Sequence, residues 1–476
     1  MIYKFRILKY FNKSEIFLVG LAILMLVSVS YGFYFLIWIA FSPLIYLAFI
    51  KNCRRILELS IIYGLITSLF FFNWVYNVKI KFYLELYMLA ILIFTLYFTI
   101  FLILISFFSK KIKDYYVILL PPLIWLFLLL VYQIMPIKIY WMDLSIFQPA
   151  AVPIIWYVGS YGVTFLIILS NSILSYYFIK KNRILLFFEV FLLMIILASL
   201  FYSNYSGFPY NGKKVKVALL QGNFPYEWKW RQNNAFGLIL NTYLNMSYEA
   251  SKNKPDMIIW PEYSLNEDIL DNKTVSALLK RTAQQLNTTL IVGSLSYTSD
   301  KVRYKDTAFV FKPDGYIDMY NSTEPFFLDK EVVKGNALKI IEHQSNLYGI
   351  MMCNEESMQS IARDYSNKGS QFIISLSNNQ DLGRGHSIIS QFTRLRAAEN
   401  AKYVVRATND GITQIINPLG KVVNSIEPEK EKILIGEIYV NSYKTFYTKH
   451  GNILVYLTII ISTALILKKR KYVNKI

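Results

Sequence analysis

The chain has 476 residues, 55% hydrophobic, 17% aromatic and 17% charged, with mean hydropathy +0.36 and a formal net charge of +19. That balance is too apolar for a soluble protein of this length and points to a membrane protein. Two cysteines, Cys53 and Cys353, exclude a disulfide framework, and three scattered histidines (His343, His386, His450) lack the HExxH or CxxC spacing of a metal site, so no metal or cofactor is expected.

Apolar residues dominate 14–203 and 452–467, whereas 207–445 has the mixed composition of a globular domain. A helical span needs about 20 apolar residues to cross a bilayer core. Seven such spans are predicted near 14–30, 31–50, 56–77, 84–108, 115–134, 154–178 and 184–203, and an eighth at 452–467. The first lacks a clear small-x-small cleavage site and is expected to be retained. Basic residues cluster in every second loop: Lys4 to Lys13, Lys51 to Arg55, Lys110 to Lys113, Lys180 to Arg183 and the C-terminal tail. Positive charge in short loops is kept on the cytoplasmic side, so 207–450 is expected outside the cytoplasm. Much of the positive excess is then accounted for by topology, and no nucleic-acid partner is expected. The predicted domains are a transmembrane domain over 1–206, an exported domain over 207–445, and a C-terminal span with a basic tail over 446–476.

Within the exported stretch, VKVALLQGN, DMIIWPE, TTLIVGSLS, TAFVFKPDG, YGIMMCNE, QFIISLSNN and KYVVRATNDG read as strands, being short, β-branched and bounded by turn residues. Residues 233–251, 272–286, 356–368 and 387–401 carry helical spacing, and INPLGKVV reads as the turn of a late hairpin. The expectation is a single α/β domain hung between spans seven and eight.

Cys353 falls where a strand ends and a helix is predicted to begin, a position where the helix's partial positive charge favours a thiolate. Glu262 follows an apolar strand and Pro261, which leaves its carboxylate at a sheet edge. A thiol and a carboxylate at neighbouring strand ends suit a nucleophile and its base. Each residue alone has a plainer reading, since a single Cys after an apolar strand is more often inert packing and a Glu at a strand end is often solvated. A Cys-His pair using His386 is a further arrangement compatible with the composition.

The motifs LLQGNFPYEWKW, IIWPEYS, IMMCNEES, ISLSNN and QFTRLRAAENAKYVVRATNDGITQIINPLGKVV occur in this order over 215–423. Together they resemble the nitrilase-type domain of apolipoprotein N-acyltransferases, and seven spans before it with one after it match that family's layout. The resemblance implies an αββα sandwich beside an α-helical polytopic membrane domain of about eight spans. It implies an enzyme of the bacterial inner membrane, catalytic domain on the periplasmic side, that moves an acyl chain from a phospholipid to the N-terminal amine of diacylglyceryl-cysteine lipoproteins. In this chain it implies Glu262 as general base, Cys353 as the nucleophile that carries the chain as a thioester, and Glu355 as a glutamate kept beside it. Trp230, in the aromatic stretch FPYEWKW, is expected at the substrate, at the depth of lipid head groups, with aromatic packing on the domain surface an alternative of equal weight. A monomer is expected.

One departure stands out. The family's lysine follows a Tyr-Asn or Tyr-Asp pair, but after Tyr320 and Asn321 this chain has Ser322. Lys330 is the substitute candidate, while Lys334, preceding Gly335, reads as structural. The departure keeps two alternatives open: a catalytically weakened relative that binds lipid or lipoprotein, and a membrane-tethered amidase.

Overall fold

The computed structural model describes residues 12–77, 83–112, 115–135, 140–148, 153–205, 208, 212–225, 235–326, 331–379, 382 and 385–473. Among the described residues, the N-terminal half contains seven α-helices: α1 (Lys13–Ser30), α2 (Ser42–Ile50), α3 (Cys53–Phe71), α4 (Tyr83–Ser109), α5 (Leu120–Gln133), α6 (Ile154–Lys180) and α7 (Arg183–Tyr205). Among the described residues, five helical stretches are long and apolar enough to cross a membrane: Lys13–Ser30, Tyr83–Ser109, Tyr115–Gln133, Ile154–Lys180 and Arg183–Tyr202. Two predicted spans are corrected. The span at 31–50 is broken into a 3-10 turn (Tyr34–Trp38) and the nine-residue α2, and the span at 56–77 starts earlier, at Cys53, and ends in a 3-10 turn at Asn73–Asn77.

The break before α2 persists because α6 satisfies its backbone, which lipid cannot do. Asn171 accepts from the Phe41 N–H at 2.8 Å and donates to the Ile37 carbonyl at 3.0 Å. Ser170 donates to the Trp38 carbonyl at 2.9 Å and Ser175 to the Ser42 carbonyl at 2.8 Å. Local chemistry sets the helix starts as well. Asn52 caps α3 by accepting from the Arg55 N–H at 2.9 Å, and Arg55 and Lys51 reach Glu15 of α1 at 2.6 and 2.7 Å. The basic loop is thereby tied to the first helix.

The C-terminal half is a two-sheet sandwich. One six-stranded sheet runs β12-β1-β2-β3-β4-β5 and the other β11-β10-β9-β8-β7-β6. The first contains β1 (Lys214–Gln221), β2 (Met257–Ile259), β3 (Thr289–Tyr297), β4 (Tyr304–Phe311), β5 (Ile317–Asn321) and β12 (Lys432–Tyr439). The second contains β6 (Ile341–His343), β7 (Asn346–Met352), β8 (Phe372–Ser377), β9 (Tyr403–Thr408), β10 (Thr413–Ile416) and β11 (Val422–Ile426). Period-two alternation sorts the side chains. Val217, Leu219, Ile259, Ile291 and Val310 face the second sheet, while Ala218, Leu220, Ile258, Val292 and Phe309 face the helices α8 (Ala235–Ser251) and α9 (Lys273–Gln285). On the far side lie α10 (Gln359–Asn367) and α11 (Gly385–Asn400), and Ile388, Phe392, Leu395 and Ala398 of α11 join the core of the membrane half. The layering is helix, sheet, sheet, helix, with the last layer docked on the membrane bundle. All seven predicted strands and four predicted helices are present. Strands β5, β6 and β12 were not anticipated, because they are short or half-exposed and carry little apolar alternation.

Docking depends on a kink. Gly159, inside α6, has φ +65°, and a Cβ there would lie 2.5 Å from the ring of Tyr447 on α12 (Phe446–His450), which precedes the last helix α13 (Ile453–Val473). The kink frees the Ser160 N–H to donate to Glu399 at 2.9 Å, and Glu399 pairs with Arg396 at 3.1 Å, both wholly buried. Arg396 donates onward to the carbonyl of Ser357, at the end of the 3-10 turn Cys353–Ser357. Gly159→Ala combines a left-handed backbone with a steric clash and is expected to lower stability by about 1–3 kcal/mol. Thermal unfolding in detergent micelles measures this; an unchanged melting temperature would mean that the kink does not carry the docking.

Candidate active site

Glu262 lies three residues beyond the end of β2, and the strand beneath it makes room. A Cβ at Gly293 of β3 would stand 2.3 Å from the Pro261 carbonyl oxygen and 2.7 Å from the Glu262 Cα. Cys353 directly follows β7, and Asn378 directly follows β8. Parallel pairing of β7 with β8 brings the last two ends together, and stacking of the sheets brings Glu262 against them. Asn378 donates its N–H to Glu262 Oε2 at 2.7 Å, and the Cys353 thiol is hydrogen-bonded to the same carboxyl. The two residues paired on sequence grounds are therefore in direct contact.

Three side-chain-bearing residues here have left-handed backbones: Tyr263 after Glu262 (φ 47°), Cys353 itself (φ 40°) and Asn379 (φ 51°). Such strain concentrates at functional sites because the surroundings must hold it in place. The sharp turn at Cys353 begins directly after the last residue of β7, Met352.

Electrostatics correct one expectation. Cys353 opens a 3-10 turn (Cys353–Ser357) rather than an α-helix, and α10 begins only at Gln359. Burial pushes the thiol well above its ordinary range, and the carboxylates of Glu262, Glu356 and Asp306 push it further. These effects favour the neutral thiol over a helix-stabilised thiolate. Burial also raises Glu262, to about 7, against the lowering effect of bonds from Asp306, Cys353 and Asn378. A carboxyl poised near neutrality is suited to take and return a proton.

Glu355 is wholly buried and does not point at the sulfur. Its Oε1 accepts from the Tyr320 hydroxyl at 2.7 Å, the Thr323 N–H at 2.7 Å and the Thr323 hydroxyl at 2.8 Å, while Oε2 accepts from the Met352 N–H at 2.8 Å. It clamps the end of β5 to the turn carrying Cys353. Glu356 was missed by sequence reasoning. In the same turn as Cys353, it makes a two-pronged pair with Arg406 at 2.8 and 2.9 Å and accepts from Ser375 and Ser377. The run containing VVRATNDG does not by itself show that Arg406 anchors the turn carrying Cys353. Asp306 was also missed.

Lys334 pairs with Glu324 at 2.9 Å on the exposed rim, in keeping with a structural role, and the Gly335 N–H donates to the Ser322 carbonyl at 2.6 Å. Lys330 and Trp230 lie outside the described residues. His386 is buried beside Gly411, has its pKa lowered to about 4 by burial, and makes no hydrogen bond to Cys353, which removes the Cys-His arrangement. Both cysteines are free. The start of α11 touches the membrane bundle: a Cβ at Gly385 would meet the Trp74 ring at 2.6 Å, and Trp74 stacks on Trp141 at 4.9 Å.

Residues 216–447 match the family described as "Carbon-nitrogen hydrolase", and residues 21–173 match "Apolipoprotein N-acyltransferase N-terminal domain". A protein of Geobacter metallireducens named apolipoprotein N-acyltransferase is 26% identical over 472 residues, covering 88% of each chain. One of the same name from Wigglesworthia glossinidia brevipalpis is 24% identical over 461 residues, covering 86% of this chain and 89% of its own. Among solved structures, a carbon-nitrogen hydrolase from Helicobacter pylori G27 is 17% identical with TM-score 0.41, covering 48% of this chain and 89% of its own.

Proposed function

As the chain belongs to the apolipoprotein N-acyltransferase family, we propose that Cys353 and Glu262 carry an acyl chain from a phospholipid to the N-terminal amine of a diacylglyceryl-cysteine lipoprotein. The observation that carries this assignment is the half-buried Cys353 thiol bonded to a near-neutral carboxyl on a sandwich docked against membrane helices. In the first half-reaction Glu262 takes the thiol proton as the sulfur bonds to the ester carbonyl carbon. The tetrahedral intermediate collapses, the lysophospholipid oxygen leaves with the proton from Glu262, and the acyl chain remains on Cys353 as a thioester. In the second the acceptor nitrogen bonds to the same carbon, the C–S bond breaks, and the sulfur regains a proton.

Lys330 is assigned the cation that meets the developing oxyanion. Glu355 is assigned to holding the nucleophile's turn, and Trp230 to the lipid interface. The reading divides the chain at 1–206, 207–445 and 446–476, in the bacterial inner membrane with the catalytic domain on the periplasmic side, as the alternating basic loops support. One chain carries both the membrane part and the paired residues, which supports action as a monomer. Similarity that extends through the membrane half weighs against a tethered amidase.

Mass spectrometry of lipoprotein N-termini tests the function. Cells lacking this gene should accumulate di-acylated lipoproteins in place of tri-acylated ones, and re-expression should restore the third chain. An unchanged tri-acylated population would contradict the assignment.

A further inference from the structure

Two basic clusters close the helical half at the end away from the sandwich, and they differ in how their charge is met. α7 starts at this end and its far end leads to β1, which fixes the side. In the first cluster Lys51 and Arg55 are neutralised by Glu15, and Arg55 also by Glu58 at 2.6 Å. The second joins the end of α4 to the turn between α6 and α7. There Lys111, Lys180, Lys181 and Arg183 are exposed and pair with no carboxylate among the described residues, and Lys110 bonds a backbone carbonyl, that of Phe49, at 2.7 Å. Residues 110–118 and 179–188 together hold six basic residues and one acid, Asp114; Lys113 and Asp114 lie outside the described residues. The tendency of positive charge to stay on one side accounts for where these residues lie, but not for their gathering without counter-charge.

Packing brings the two segments onto one surface. Ile112, Val117, Tyr176, Ile179 and Leu185 belong to one small apolar cluster drawn from the stretch after α4, the turn before α5, α6 and α7. Asn182 donates to the Tyr115 hydroxyl at 2.8 Å, and the Tyr115 and Tyr176 rings meet edge-on with centroids 5.8 Å apart. The last helix, α13, packs on the 3-10 turn Tyr115–Leu119 and carries the basic run KKRK at 468–471 in its final turns. The lysines of the surface lie over aromatic rings. Lys111 Nζ is 3.8 Å from the centroid of Phe107, Lys180 Nζ 5.9 Å from Tyr176 and Lys181 Nζ 4.9 Å from Phe178. Phe107, Phe108 and Phe178 are exposed beside them. Lysine stems that follow apolar surface while the ammonium stays in water set the charge at head-group depth. Unpaired cations above exposed apolar rings match a ligand that carries a phosphate on an alkyl body.

We propose that Lys111, Lys180, Lys181 and Arg183 form a binding surface for the phosphate of an anionic phospholipid in the leaflet opposite the sandwich. The lipid phosphate supplies the counter-charge that Glu15 supplies to the first cluster, and its chains lie against the exposed rings. It ties the end of α4 to the turn between α6 and α7. The surface is at the other end of the helical half from Cys353, so it is separate from any lipid consumed there and does not rest on the acyltransferase reading. Free phosphate carries the same charge without the chains, and the test separates the two.

The full-length protein in micelles containing phosphatidylcholine is titrated with phosphatidylglycerol. Melting temperature is followed, and native mass spectrometry counts the phosphatidylglycerol molecules retained. The wild-type protein is expected to melt higher as phosphatidylglycerol rises and to retain it in preference to phosphatidylcholine. The double variant Lys111→Gln, Lys181→Gln leaves four of the six basic residues of the two segments in place to hold the orientation. It should need roughly 30-fold more phosphatidylglycerol for the same rise, at about fivefold for each charge removed. Lys111→Glu with Lys181→Glu should abolish the rise. Lys51→Gln should show the wild-type rise, because the Lys51 charge is already met by Glu15. An identical phosphatidylglycerol dependence in the wild type and both double variants would overturn the surface and leave these lysines as topology signals alone. A rise produced equally by inorganic phosphate or by glycerophosphoglycerol would overturn the lipid as occupant, since the exposed rings would then contribute nothing.

Discussion

Cys353→Ala protein forms no acyl adduct with phospholipid and transfers no acyl chain, a loss on the order of 10⁶ in rate, as expected when a covalent nucleophile is deleted. Cys353→Ser is expected to lose nearly as much. A serine hydroxyl is a far weaker acid than even a buried thiol, and its ester would be a poorer donor to an amine than a thioester. The turn itself should survive both changes, because it is held by Glu355 and by the Glu356–Arg406 pair and not by the sulfur. Circular dichroism and melting temperature separate lost chemistry from lost fold. Transfer by a well-folded Cys353→Ala variant at more than about a hundredth of the wild-type rate would remove Cys353 from the mechanism.

Glu262→Gln is expected to lower kcat/KM by about 10² to 10⁴, the usual contribution of a general base. Its pH behaviour is equally specific. Burial raises this carboxyl from the ordinary 4.5 to about 7, so the wild-type rate should fall as pH drops below 7 and the base becomes protonated. Stability moves in the opposite direction. In the folded protein the carboxyl keeps its proton up to about pH 7, whereas in the unfolded chain it loses it near 4.5. The protonated group's favourable contribution is fully present below pH 4.5 and is lost as pH rises through 7. Glu262→Gln, which cannot ionise, should therefore match wild type in melting temperature at pH 4 and exceed it at pH 8. A variant less stable than wild type at pH 8 would show that the carboxylate is stabilised by its surroundings and not penalised by burial.

The sequence made the architecture legible where one physical signal dominated. Runs of apolar residues marked the spans, and β-branched runs ending in WPE, MMCNE and SLSNN marked the strand ends that meet at Glu262, Cys353 and Asn378. The break before α2 was not legible because its hydropathy is unbroken; only the polar side chains of α6, about 130 residues later, make it tolerable. The state of the thiol was not legible either. A local argument from the turn favours the thiolate, but burial outweighs it, and the carboxylates of Glu262, Glu356 and Asp306 add to that effect. Asp306 meets Glu262 through the order of β2, β3 and β4 in one sheet, which no spacing in the linear chain reveals.

The measurement that bears most directly on the central claim is intact-protein mass spectrometry of the purified chain after exposure to phospholipid alone. The expected result is one added acyl mass, located on Cys353, released by hydroxylamine and discharged when a diacylglyceryl-cysteine peptide with a free amine is supplied. Transfer to that peptide without any adduct on Cys353, or an adduct that the peptide does not discharge, would contradict the thioester route.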